Sequence, residues 1–121
     1  MRVFNLDVFD EGISGTSTTW YTPARLNDKL GTADVFAIMA YVTTVSGTSP
    51  TLTVQTQHSA DGQNWLSVGS AEISTGIAGN TVYYGQDNYT PVHLAFVRLK
   101  INLGGTSPQC RLKLSVTGRS I

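Results

Sequence analysis

Three stretches of this chain alternate apolar and polar residues, and that period of two constrains the fold more than any other feature. Val35 to Val45 sets Phe36, Ile38, Ala40 and Val42 on one side and Val35, Ala37, Met39, Tyr41 and Val45 on the other. Val92 to Leu103 sets Ala95, Val97, Leu99, Ile101 and Leu103 against Arg98, Lys100 and Asn102. Arg111 to Thr117 sets Leu112, Leu114 and Val116 against Arg111, Lys113 and Ser115. Residues i and i+2 share a face only in extended backbone, so these are strands. The first is apolar on both sides, which marks a central strand or one lying against a partner. Val3 to Phe9, Thr51 to His58, Trp65 to Val68 and Thr81 to Tyr84 give shorter strand signals. Only residues 24–30 offer a helical turn, with Leu26 and Leu30 four apart and Gly31 as a stop.

The polar surface is built from hydroxyls rather than charges. The chain holds 16 Thr, 11 Ser and 12 Gly, and only 13% of its residues are charged, against about 25% in ordinary soluble proteins. Thr and Gly together suit strands and tight turns. Gly47-Thr48-Ser49-Pro50 recurs as Gly105-Thr106-Ser107-Pro108. Each copy follows a long apolar strand and precedes an alternating one, so both read as hairpin connections. The spacing of 58 residues fits either a favoured turn used twice or two similar halves, and the turn is the preferred reading. The fold expected is all-β: one antiparallel β-sandwich of jelly-roll type over residues 1–121, with at most one short helical turn near residues 24–30.

Chemistry of the enzymatic kind has little to work with. A nucleophile needs a base within hydrogen-bond reach, and Cys110, the only cysteine, has no such neighbour in sequence. His58 and His93 sit at strand ends, and no glycine pattern opens a helix to hold phosphate. Asp7, Asp10 and Glu11 could surround a hard cation, but a polar turn after a strand is the preferred reading. The expectation is a protein that is not an enzyme, with no metal and no cofactor. No apolar run approaches the length of a membrane span, and the first residues do not form a signal peptide, so synthesis in a cytoplasm is expected. A net charge of zero and a pI near 6.7 argue against a nucleic-acid partner.

Binding has more candidates. Ser59-Ala60-Asp61-Gly62-Gln63-Asn64-Trp65 reads as a hairpin clasp: Asp61 bonds the turn backbone, Gly62 takes positive φ, and Trp65 packs over the top. Residues 1–87 carry all eight acids and three bases, whereas residues 88–121 carry five bases and no acid. If the last two strands lie side by side, Arg98, Lys100, Arg111 and Lys113 share one outward face. Like charges so placed repel, so an acidic strand of the same molecule or an acidic patch on a partner must answer them. Trp20, Tyr21 and Tyr84 fall in loop-rich segments, where aromatic residues suit either an oligomer interface or a sugar platform, and with Met39 and Tyr41 they form the candidate oligomer interface.

The segment from Ser59 to Trp65 resembles the S-x-D-G-x-x-W hairpins of two groups. One is the discoidin-type galactose-binding-like sandwich, and the other is the small β-sandwich structural protein of tailed bacteriophages. Phe96-Val97-Arg98-Leu99 is similar to a strand of both. The continuation Asn102-Leu103-Gly104-Gly105-Thr106-Ser107-Pro108 and the Leu112-to-Gly118 ending resemble the phage group more. The likeness covers about half the chain, chiefly residues 51–68 and 94–118. It implies a virion structural protein, foremost a capsid decoration protein that binds the major capsid protein on the surface of a phage head. It further implies a homo-oligomer, preferably a trimer, made in the host cytoplasm. The alternatives are a carbohydrate-binding β-sandwich module or a neck, tail or head-fibre component.

Overall fold

A computed structural model describes residues 2–15, 18–22, 35–67, 71–87 and 96–120. The helical turn expected near residues 24–30 lies outside them. The strands are β1 (Arg2–Ser14), β2 (Thr18–Tyr21), β3 (Val35–Ser59), β4 (Leu66–Ser67), β5 (Ile73–Gly76), β6 (Thr81–Asp87) and β7 (Phe96–Ser120). Among the described residues all pairings are antiparallel.

The two long strands organise everything else. β3 and β7 run antiparallel to each other from Val35↔Arg119 to Ser59↔Phe96, bending together midway. On one side of the bend the order is β1–β7–β3–β6, with β7 contributing residues up to Ser120 and β3 its first half. On the other side β2 lies beside β7, and β5 and β4 lie beside β3. These are the two layers of a jelly-roll β-sandwich, and each long strand belongs to both. Ile38, Ala40, Val42, Leu112, Leu114 and Val116 point inward from the first layer. Leu52, Val54, Val97, Leu99, Ile101 and Leu103 meet them from the second, and all twelve are at most 1% exposed. Burial of each Val, Leu or Ile among them contributes roughly 1.5–3 kcal/mol relative to exposure.

The repeated Gly-Thr-Ser-Pro segments do not make the expected hairpins. Both lie inside the long strands, at the bend where β3 and β7 cross from one layer to the other. Thr48 pairs with Thr106, and single-residue slips flank that pair. Ser49 and Ser107 take φ of 49° and 48°, and Gly47 and Gly105 take 104° and 112°. Bulges of this kind re-aim a strand sharply, which turns one ladder into two layers. The surroundings are matched as well. The Pro50 carbonyl accepts from the Ile77 N–H at 3.0 Å, and the Pro108 carbonyl accepts from the Gly15 N–H at 3.1 Å. The two motifs are thus related by a local two-fold at the bend, which favours the two-halves reading over a turn used twice.

Candidate interaction surfaces

The four cations expected on one face are divided between two. Lys100 pairs in register with Gln55 and Tyr21, whereas Lys113 pairs with Tyr41 and Asp10. The expectation placed the last two apolar segments side by side. They are instead successive halves of the single strand β7, and the bend carries them to opposite layers.

On the outer face of the first layer the positive charge is answered within the molecule. Arg111 donates to Asp10 at 2.8 Å, and the Lys113 ammonium lies 3.7 Å from the Asp7 carboxylate. The Ser115 hydroxyl donates to Asp7 at 2.6 Å, and Thr117 donates to Asn5 at 3.1 Å. The Ser115 hydrogen bond, then the Lys113 charge, hold the Asp7 carboxyl below its ordinary range. Asp7, Asp10 and Glu11 therefore lie in strand β1 rather than in the expected polar turn. Among the described residues no group of three potential metal ligands exists.

The same face turns apolar toward β6. Met39 pairs with Tyr84, and Tyr41 pairs with Val82. Met39 is 40% exposed, Val82 51% and Tyr84 61%. The Tyr41 hydroxyl lies 3.5 Å from the Met39 sulfur. Three of the five residues expected at an oligomer interface thus share one strip. Val82 completes it, and its position two residues before Tyr84 in an alternating strand was the signal for it. Trp20 and Tyr21 are elsewhere, on β2 at the edge of the second layer. Trp20 packs against the core.

Tyr21 belongs to the outer face of the second layer, where a different constellation is built. The Arg98 guanidinium lies 3.8 Å from the Tyr21 ring centroid and 4.1 Å from that of Trp65. Its Nε donates to the Gln57 side-chain oxygen at 2.9 Å, and the Gln57 amide nitrogen lies 3.4 Å from the Ser67 hydroxyl. Gln57 is 8% exposed. Register dictates the arrangement: Gln57 is the cross-strand partner of both Arg98 and Ser67. Partial burial lowers the Arg98 pKa from its ordinary value. Among the described residues neither Arg98 nor Lys100 forms an ion pair.

The Asp61 turn forms as its residues predict, except for the tryptophan. Asp61 accepts the N–H groups of Gln63 and Asn64, both at 2.9 Å, and the Asn64 side-chain amide at 2.7 Å. The Ser59 hydroxyl donates to the same carboxylate and accepts from the Gly62 N–H, each at 2.9 Å. The Asn64 and Gln63 N–H groups are the main reason the Asp61 carboxyl sits well below the usual carboxylate range. Gly62 has φ of 75°. The ring beneath Gly62 is that of Phe96, 3.8 Å from where a Cβ would stand. Trp65 is not the core clasp expected: its ring is half-buried against Arg98.

Two clefts are lined by described residues. One of about 400 Å³ lies between β1 and β2, lined by Asp7, Asp10, Glu11, Trp20 and Tyr21 among others. The other, of about 270 Å³, lies beside Cys110, whose thiol burial pushes up in pKa. Neither brings a nucleophile and a base together.

No protein-family model and no curated protein matches the chain. Solved structures do match in fold. The CBM22-1 xylan-binding domain from Paenibacillus barcinonensis Xyn10C is similar at 16% identity, over 93% of this chain and 73% of that one, with a TM-score of 0.59. A chain of the infectious bursal disease virus Gt strain is similar at 14% identity, over 98% of this chain and 33% of that one, with a TM-score of 0.59. A chain of the disulfide-linked pili that form Bacillus endospore appendages is similar at 14% identity, over 98% of this chain and 89% of that one, with a TM-score of 0.50. At these identities the likeness is one of fold, and the chain is a jelly-roll β-sandwich of the kind found in carbohydrate-binding, viral and pilus structures.

Proposed function

We propose that the protein is a virion structural component, foremost a capsid decoration protein, that works by binding and not by chemistry. The observation that carries this reading is the strip of Met39, Tyr41, Val82 and Tyr84 on the outer face of the first layer. A sandwich acting alone has no use for Val82 and Tyr84 each more than half exposed side by side. The strip is assigned to contact between copies of the chain, a trimer being the preferred assembly, which leaves the second layer's outer face for the shell. The sequence likeness to phage structural proteins and the shared fold with an infectious bursal disease virus chain support a virion setting. A cap that binds only the assembled shell stabilises that state by mass action. The test is addition of the recombinant protein to shells of the source virus that lack it. Saturable occupancy at fixed copy number supports the reading, and shells that stay bare overturn it. Val82→Glu should yield a monomer by light scattering.

A second reading is a carbohydrate-binding module, favoured by the Tyr21 and Trp65 rings on the second layer's outer face and by the fold shared with a xylan-binding domain. Retarded migration in gels containing soluble xylan would support it, and unchanged migration across a panel of polysaccharides would dismiss it.

A further inference from the structure

We infer that Arg98 is the receptor for a carboxylate, supplied by an Asp or Glu side chain on the protein surface to which this molecule docks. The inference rests on the binding role proposed above and names the group that does the binding.

The guanidinium has three close neighbours. The Tyr21 and Trp65 ring centroids lie 3.8 and 4.1 Å from its central carbon. Gln57 takes its Nε–H at 2.9 Å, and the Gln57 amide nitrogen faces Ser67. That order of bonds orients the amide so that its oxygen meets Arg98. A planar guanidinium held this way has little rotamer freedom left to lose on binding. Its terminal nitrogens are the remaining donors, and they form a fork that matches the two oxygens of a carboxylate.

Charge identifies the ligand. Arg111 and Lys113 are already answered by Asp10 and Asp7. Arg98 is partly desolvated and forms no ion pair among the described residues. A desolvated cation without a counter-charge costs free energy that an incoming anion returns. Lys100, one step along the same face of β7, adds to the positive field, as does the absence of any described acid among its cross-strand partners Gln55 and Tyr21. Polar Thr19, Thr53 and Asn102 continue that face, so the partner surface it fits is acidic and hydrophilic rather than greasy.

The experiment compares wild type with Arg98→Lys, Gln57→Glu and Lys113→Met. Arg98→Lys keeps the charge but removes the fork. Gln57→Glu keeps an acceptor for Nε and places a carboxylate of the molecule's own on Arg98. Each variant is first checked for an unchanged melting transition, and Gln57→Glu, which adds an internal ion pair, remains usable if Arg98→Lys unfolds. Binding to shells of the source virus should weaken at least about tenfold in Kd for both, as expected for a lost bidentate charge-assisted contact, and not for Lys113→Met. In parallel, poly-L-glutamate at low salt should perturb the tryptophan fluorescence of wild type and not of Gln57→Glu. Shell binding by wild type that both variants retain overturns the inference and leaves the proposed function standing. Bare shells combined with an Arg98-dependent response to poly-L-glutamate overturn the virion reading and leave the carboxylate site standing. A response to polygalacturonate but not to poly-L-glutamate assigns the site to an acidic polysaccharide and overturns the protein ligand, and silence toward both polymers overturns the site.

Discussion

Gly47 and Gly105 each nest against the other's repeat across the bend. A Cβ on Gly47 would stand 2.6 Å from the Ser107 carbonyl oxygen, and one on Gly105 would stand 2.8 Å from that of Ser49. Both glycines also take φ above 100°, where a side chain is strained whatever the space. Gly47→Ala and Gly105→Ala should each destabilise the fold by at least about 1–3 kcal/mol, measured as a lower urea midpoint at constant slope. Because each clash moves the same crossing point, the double variant should cost less than the sum.

Asp61 gives the turn a pH signature. Its folded carboxyl titrates well below the unfolded value near 3.8, so its contribution is fully present above that value. It is lost as pH falls through the lower folded value, because the unfolded chain then takes up the proton first. Asp61→Asn should therefore be less stable than wild type at pH 7, with the gap closing as pH drops below about 4. Parallel stability curves from pH 7 to 2 would contradict this origin.

Trp65 and Leu99 separate the stack from the core. Leu99 is fully buried, and Leu99→Ala should cost about 2–5 kcal/mol. Trp65→Ala removes one ring of a part-exposed cation–π stack and should cost only about 1–2 kcal/mol. Equal losses in chemical denaturation would show that Trp65 is a core residue after all.

Cys110 is 2% exposed, and burial raises its thiol pKa. A thiolate-seeking reagent at pH 7 should leave it unmodified in the folded protein and label it fully in urea. The labelling midpoint should coincide with that of tryptophan fluorescence.

Periodicity made the strands and their inward faces readable, because Ile38, Ala40, Val42, Leu112, Leu114 and Val116 obey a local rule. The bend was not readable, since Gly-Thr-Ser-Pro suits a hairpin and a pair of facing bulges equally well. Only long-range pairing of Thr48 with Thr106 distinguishes them. That one ambiguity also misplaced the cations: a hairpin at Gly105 puts Lys100 beside Lys113, and a bend puts them on opposite layers. Met39 and Tyr41 were legible because an apolar residue on an outward phase is visible in the alternation, whereas Tyr84 was singled out as an aromatic of a loop-rich segment and lies in strand β6 beside Met39. The role of Gln57 was invisible, because a glutamine beside an arginine across strands depends on register alone.

Since β3 and β7 each run through both layers, neither layer has a central pair of its own to keep if the other melts. Their contacts join the early and late parts of the sequence, from Val35↔Arg119 onward, so the contact order is high and folding belongs to the slow, millisecond-to-second class. Protected amides in the two layers are tied to one opening event, and native-state hydrogen exchange should assign them a common free energy. A single opening event of that kind would leave no half of the molecule able to unfold alone, because β3 and β7 are joined along one ladder from Val35↔Arg119 to Ser59↔Phe96.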